Sequence, residues 1–508
     1  MSERKRIVKN TGFLYIRMLV VMVVTLFTSR VVLQTLGVVD YGIHNVIGGV
    51  VVMLSFLNNC AGAATSRYLT FSLGNEQFYK YSTVFNTAFV IHIGIAILIA
   101  ILGETVGLWY VHNKMVIPIE RMGAALWVYQ ISIITVFVSF TQVPYNASII
   151  AHEKMDIYAY VGLFEAFAKL GVVYLLYVSP VDKLKTYSTL LFLVTLSLSL
   201  FYRWYCVHSF GDKCRLQWIK DRNMFKELLS YSGWDLVGNF AGVARSQGVN
   251  LILNLFFGPA VNAARAVAYN AEAALYQFTT NFLQASRPII IKHYAAGEEK
   301  KMLSLLYETA KFAFLLFSCL AIPFAIESDC ILVFWLGTPP AYSSVFLKIV
   351  LVNYMVISLT NTINIGVHAT GDVRRLNVFA GSKVFVELPV IYILLKAGCQ
   401  PYWALIVLLI GSTLVIWIDL WVLRKNIPNA KILIFMKRVV LVVLILIALP
   451  TSLALMAHNF VTNMVARVAC VFLLYWFALL PLVYRWGITA ELRKKVCCSL
   501  KMKLCKKL

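Results

Sequence analysis

Of the 508 residues, 60% are hydrophobic and only 14% are charged, and the mean hydropathy is +0.77. Soluble domains carry about one quarter charged residues, so the composition excludes a water-soluble globular protein and gives a polytopic membrane protein. The net charge of +23 calls for no nucleic acid, because cytoplasmic loops of membrane proteins collect Lys and Arg and no basic, aromatic-interleaved soluble domain exists here to bind one.

In chain order, windows of about 20 apolar residues predict spans over 10–36, 41–71, 81–104, 117–144, 156–178, 186–209, 228–257, 262–291, 305–327, 341–368, 376–397, 401–423, 436–457 and 462–484. The basic start, Ser2 to Arg6, precedes an apolar run too long for a signal-peptide core and lacking a small-residue cleavage site, so the first span reads as a retained helix. The rhythm breaks midway at 210–227, where Trp218 and Phe225 alternate with Lys213, Arg215, Lys220, Arg222 and Lys226. That mixture fits an amphipathic interfacial connector. The expected fold class is therefore an all-α polytopic membrane protein of about fourteen transmembrane helices.

Basic residues set the expected orientation. With the N-terminus in the cytoplasm, nearly all loop Lys and Arg fall on the cytoplasmic side, and the opposite side keeps only Lys114, Arg121, Lys183, Lys185 and Lys396. An even number of spans with both termini cytoplasmic satisfies this rule.

The two halves read as copies. Leu36-Gly37 precedes a helix that ends with Ser66-Arg67 and then Gly74, and Phe257-Gly258 precedes one that ends with Ser286-Arg287 and then Gly297. Glu165 and Lys169 in the fifth span match Lys383 and Glu387 in the eleventh with the signs reversed. A parallel repeat of six spans follows. The expected organisation is an N-terminal six-helix bundle over 1–209, the connector at 210–227, a pseudo-symmetric six-helix bundle over 228–425, and two extra helices with a basic tail over 426–508. Every connection is too short to fold as a domain of its own, so recognition must lie among the helices.

Ten cysteines are scattered without a Cys-x-x-Cys pair or metal-ligand spacing, and most read as small buried residues. The tail carries Cys497, Cys498 and Cys505 among lysines, a setting for juxtamembrane acylation or simply a solvated basic tail.

Arginine inside a membrane is costly, about 2.5–3.5 kcal/mol at a helix centre on insertion scales. The first span carries Arg17 and Arg30, the second His44 and Arg67, the seventh Arg245, and the eighth Arg265 and Arg287. Arg245 stands among small residues (Gly242, Ala244, Gly248) and amides (Asn239, Gln247, Asn250, Asn254), as expected of a helix beside an aqueous space. The expectation is a cationic cavity lined by these four helices and suited to phosphate-bearing cargo, which Arg binds in bidentate fashion. Snorkelling competes with that reading for Arg17, Arg67 and Arg287 near helix ends. Asp235, Glu272, Glu387 and Asp419 are the candidates to hold a coupling proton or Na⁺. The pairs Glu165/Lys169 and Lys383/Glu387 have the spacing of internal salt bridges.

The opening stretch resembles the Wzx-type polysaccharide flippases of the multidrug/oligosaccharidyl-lipid/polysaccharide exporter superfamily. The residues that carry this are Leu14-Tyr-Ile-Arg-Met18, Thr28-Ser-Arg-Val-Val32, Leu36-Gly-Val-Val-Asp-Tyr-Gly-Ile43, Asn45-Val-Ile-Gly-Gly49, Phe56-Leu-Asn58 and Ala64-Thr-Ser-Arg67. The resemblance implies two bundles of six helices around a central portal in a bacterial inner membrane. It implies alternating access that moves an undecaprenyl-diphosphate-linked oligosaccharide from the cytoplasmic to the periplasmic leaflet. It also implies a cationic lumen, to which Arg30, Arg245 and Arg265 correspond by location, no cofactor beyond a coupling ion, and a monomer working beside other polysaccharide assembly proteins. Two other classes compete: a cation-coupled drug or metabolite exporter of the same fold, and a membrane glycan polymerase or ligase. The absence of a long extracytoplasmic loop for catalytic residues counts against the enzyme.

Overall fold

Hydrocarbon offers no hydrogen bonds, so a spanning backbone must satisfy itself as helix or closed barrel. In the computed structural model every regular element is helical, and the described residues contain no strand. The structure describes residues 3–54, 80–152, 154–217, 221–370 and 381–487, with single residues and pairs between 62 and 73 and at 378–379.

The first helix, α1 (Glu3–Leu54), is broken at Gly37, whose φ of 78° and ψ of 170° lie outside helical space. The break falls where the sequence predicts the first turn, and most of the second span beyond Leu54 lies outside the described residues. Then come α2 (Tyr81–Asn113), α3 (Met122–Ala151), α4 (Met155–Val178) and α5 (Lys183–Phe210). Within the connector Gly211–Cys214 makes one 3-10 turn, residues 218–220 lie outside the described residues, and helix resumes at α6 (Arg222–Phe257). Gly258 (φ 75°, ψ −173°) separates α6 from α7 (Pro259–Ala295). It thus repeats the conformation of Gly37, its partner in the internal alignment. The remainder is α8 (Glu299–Ile326), α9 (Ser328–Leu336), α10 (Ser343–Thr370), α11 (Val384–Lys396), α12 (Tyr402–Asn426), α13 (Ile432–Phe460) and α14 (Met464–Leu482).

Ten segments among the described residues are long and apolar enough to cross a membrane. Helices α6 and α7 have 36 and 37 residues, and Asn, Gln, Arg and Glu punctuate their apolar runs. They are two of the four helices that the sequence assigns to the cavity wall.

The helices group into two compact units, Met1–Ala266 with Val384–Pro401, and Val267–Lys383 with Tyr402–Leu508. In the first, one apolar core gathers Phe85, Ile91, Tyr145, Ile149 and Met224, and another Ile43, Ile47, Val128, Tyr129 and Leu184. Buried amides fasten its elements. Asn254 accepts from the Val116 backbone N–H at 3.0 Å, and Asn262 donates to the Asn250 carbonyl at 2.8 Å. In the second unit α10 lies along α8 and α12, while α13 and α14 pair and lean on α8. The outward faces are apolar: Ile445 is 63% and Phe477 73% exposed. That is the pattern for a protein whose solvent is lipid.

Candidate functional site

In the first unit, α6 brings Arg245 against Glu387 of α11. Arg245 Nε donates to Oε2 at 2.6 Å and an Nη to Oε1 at 3.1 Å, with the side chains 16% and 5% exposed. This is the bidentate fork that guanidinium and carboxylate geometry favours. Glu387 therefore pairs with Arg245 rather than with Lys383 four residues before it, and Lys383 lies within electrostatic reach of Asp419. One helix turn of α7 carries Arg265, which is buried and donates to the Ser246 carbonyl at 3.0 Å. Arg30 is half-buried on α1, and His44 packs edge-on against Tyr187 with centroids 4.9 Å apart.

The amides read as lining water have another task. Asn250 and Asn254 are 4% and 0% exposed and are spent on holding backbone. The side chains of Arg17, Arg67 and Asp235 lie outside the described residues.

The second unit holds the buried carboxylates. Glu272, 2% exposed, accepts from the Tyr354 hydroxyl, and Tyr354 meets Tyr276 at 5.0 Å between ring centroids. Tyr276 Oη accepts from Asn361 at 2.9 Å. Asn361 also lines a cavity of about 260 Å³ with Thr280, Arg287, Asn364 and His368. A polar seam thus runs between α7 and α10 from Arg287 to Glu272. Asp419 on α12 is fully buried, and neither of its oxygens has a hydrogen-bond partner among the described residues. The cation within electrostatic reach of this carboxylate is Lys383.

Two charge clusters escape a reading of sequence. Arg121 binds both Asp40 and Asp182, with Nε to Asp40 Oδ1 at 2.8 Å and Nη1 to Asp182 Oδ2 at 2.7 Å. It ties the starts of α3 and α5 to the middle of α1. Burial raises the Asp182 carboxyl, but the Arg121 guanidinium and two backbone N–H donors outweigh it and hold Asp182 below the usual carboxylate range. In the second unit Glu327, its side chain 0% exposed, accepts from His458 Nδ1 at 2.7 Å and Arg467 Nε at 3.2 Å. It clamps α13 and α14 to the end of α8. In each cluster the acidic and basic partners lie far apart in the sequence, and only the tertiary fold places them together. The pair Lys169 and Glu165 forms as spaced, at 2.6 Å on an exposed face.

The fold is similar to those of several solved membrane transporters and a flippase. A lipid II flippase, MurJ, in an inward closed conformation superposes with a TM-score of 0.69 at 12% identity, covering 93% of this chain and 98% of that one. An inward-facing multidrug resistance MATE transporter of the MOP superfamily gives 0.59 at 12% identity, covering 82% and 95%. A MOP-superfamily transporter from Pyrococcus furiosus, described as having a binding pocket of reverse polarity that suggests a different function, gives 0.51 at 12% identity, covering 82% and 96%. No protein-family model and no curated protein sequence matches the chain.

Proposed function

We propose that this chain is a flippase that carries an undecaprenyl-diphosphate-linked oligosaccharide from the cytoplasmic to the periplasmic leaflet of a bacterial inner membrane. The observation that carries this is the extent of the fold likeness. The share of the chain covered rises from 82% against the MATE transporter to 93% against the lipid II flippase, a difference comparable to the length of α13 and α14. In its length of fold the chain resembles the protein that moves a lipid-linked saccharide more than the one that exports drugs. The membrane arginines support the same reading. Arg30, Arg245, Arg265 and Arg287 supply guanidinium groups, and Arg is the side chain best shaped for a diphosphate. In this account Glu387 occupies Arg245 while cargo is absent, and alternating access is coupled to H⁺ or Na⁺ at Glu272 or Asp419.

A drug or metabolite exporter of the same fold is the second reading, favoured by the buried carboxylates Glu272 and Asp419, which suit a cationic cargo. Purified protein in liposomes separates the two. The flippase moves a fluorescent isoprenyl-diphosphate saccharide between leaflets and leaves a cationic dye on its original side. Dye transport without saccharide flipping would overturn the proposal.

A further inference from the structure

Away from these sites, the first unit has a second cavity, of about 680 Å³, at the C-terminal end of α5. Its wall carries Arg203, His208 and Arg215 beside Leu200, Trp204, Val207 and Leu216, over Tyr145. The lip is apolar and exposed: Leu200 is 58% and Trp204 61% exposed. The indole of Trp204 stacks on His208 at 5.6 Å with the rings 4° from parallel. A cationic wall with an apolar lip at the end of a span is the composition that fits a lipid headgroup with its chains lying alongside.

The cavity is built rather than incidental. Asn86 on α2, 2% exposed, donates to the Arg215 carbonyl at 3.3 Å and accepts from the Gln217 N–H at 2.7 Å, fixing the wall after the turn. Cys206 Sγ, also buried, donates to the Tyr145 carbonyl at 3.4 Å. One carboxylate is near: Asp212 lies 3.4 Å from Arg215, both well exposed, so it screens little. The second, independent observation is Tyr145. It is 2% exposed, and its hydroxyl is buried without a hydrogen-bond partner among the described residues. An orphaned buried hydroxyl costs about 1–3 kcal/mol unless something absent from the bare chain completes it.

We propose that this cavity binds the phosphate of an anionic membrane phospholipid. Arg203 and Arg215 hold the phosphoryl oxygens, Tyr145 donates its hydroxyl, and the acyl chains run along Leu200 and Trp204. The exposed apolar lip of Leu200, Trp204 and Val207 beside the arginines selects a lipid over a soluble anion. A cavity of this size, within the range of about 300–1,000 Å³ for small-ligand sites, takes a glycerophosphate headgroup.

The test is native mass spectrometry of the full-length protein released from nanodiscs of mixed phosphatidylglycerol and phosphatidylcholine. Wild type is expected to retain phosphatidylglycerol in preference to phosphatidylcholine. The double variant Arg203→Gln/Arg215→Gln should lose that retention by about tenfold or more, the effect of removing charged hydrogen bonds. Tyr145→Phe keeps the ring against Phe85 and removes only the unpartnered oxygen. A purely structural role for Tyr145 predicts no change, whereas the proposal predicts a loss of about three- to tenfold with unaltered thermal stability. Equal retention of the two lipids, wild-type retention by both variants, or displacement of the lipid by millimolar inorganic phosphate would each overturn the proposal.

Discussion

Arg245 shows how a single residue changes meaning between sequence and structure. Its position among small and polar neighbours marks it as functional, but the sequence cannot show that Glu387, 142 positions away, supplies a carboxylate to it. Removing one partner of a buried ion pair costs about 3–5 kcal/mol, whereas replacing both with apolar residues is often neutral. Arg245→Ala is therefore expected to lower the unfolding temperature sharply and to abolish export by destabilising the unit. Arg245→Met/Glu387→Met should restore stability and still fail to export a surface glycan in a flippase-null strain. Export by that double variant would show the pair to be purely structural. Asp182 makes a pH-dependent case. Its pKa is lowered on folding, so its stabilising effect is complete above the unfolded value of about 3.9 and disappears as pH falls through the lower, folded value. Thermal midpoints measured from pH 6 down to 3 should fall less steeply for Asp182→Asn than for the wild type, and an identical slope would refute the role given to Arg121.

At the scale of elements, the turns were the most legible feature. Gly37 and Gly258 stand out in sequence as repeat-related breaks, and both have positive φ with ψ near 180°, a region essentially reserved for glycine. An alanine at either is expected to cost about 1–3 kcal/mol, read as a lower unfolding temperature in detergent, and an unchanged temperature for both would contradict the geometry. Gly42 differs in kind: a Cβ there would stand 2.0 Å from the Pro259 carbonyl oxygen, so α1 and α7 could not keep their approach. The apolar spans were also legible, because hydrocarbon enforces length and composition. The apolar windows at 228–257 and 262–291 correspond to α6 and α7, but the use of their amides is not legible in them. Asn250 and Asn254 bond backbone rather than water, and nothing in a one-dimensional pattern separates an amide that lines a cavity from one that stitches helices.

For the whole molecule, composition alone determines the solvent, and span rhythm determines the all-helical class. The fold likeness at 12% identity shows that this architecture tolerates nearly complete replacement of its side chains. That tolerance is intelligible where packing against lipid asks only for apolarity. It explains why the sites were less legible than the fold, since Glu272 with Tyr354, or Glu327 with His458, need particular residues at distances along the chain that no periodicity reports. Glu272→Gln is expected to stop net flipping of a saccharide lipid in liposomes while leaving its binding intact, if Glu272 carries the coupling ion. Flipping at the wild-type rate by this variant would move the coupling role to Asp419.

The clamp on Glu327 has a consequence for the order in which the protein is made. His458 follows Glu327 by 131 residues and Arg467 by 140. At synthesis rates of about 5–20 residues per second, the ribosome needs roughly 7–28 seconds to supply them. Throughout that interval the carboxylate at the end of α8 waits for partners that exist only as message. The hairpin of α13 and α14 is therefore the one that neutralises Glu327, and a chain released before it is made carries a bare acid at the end of α8.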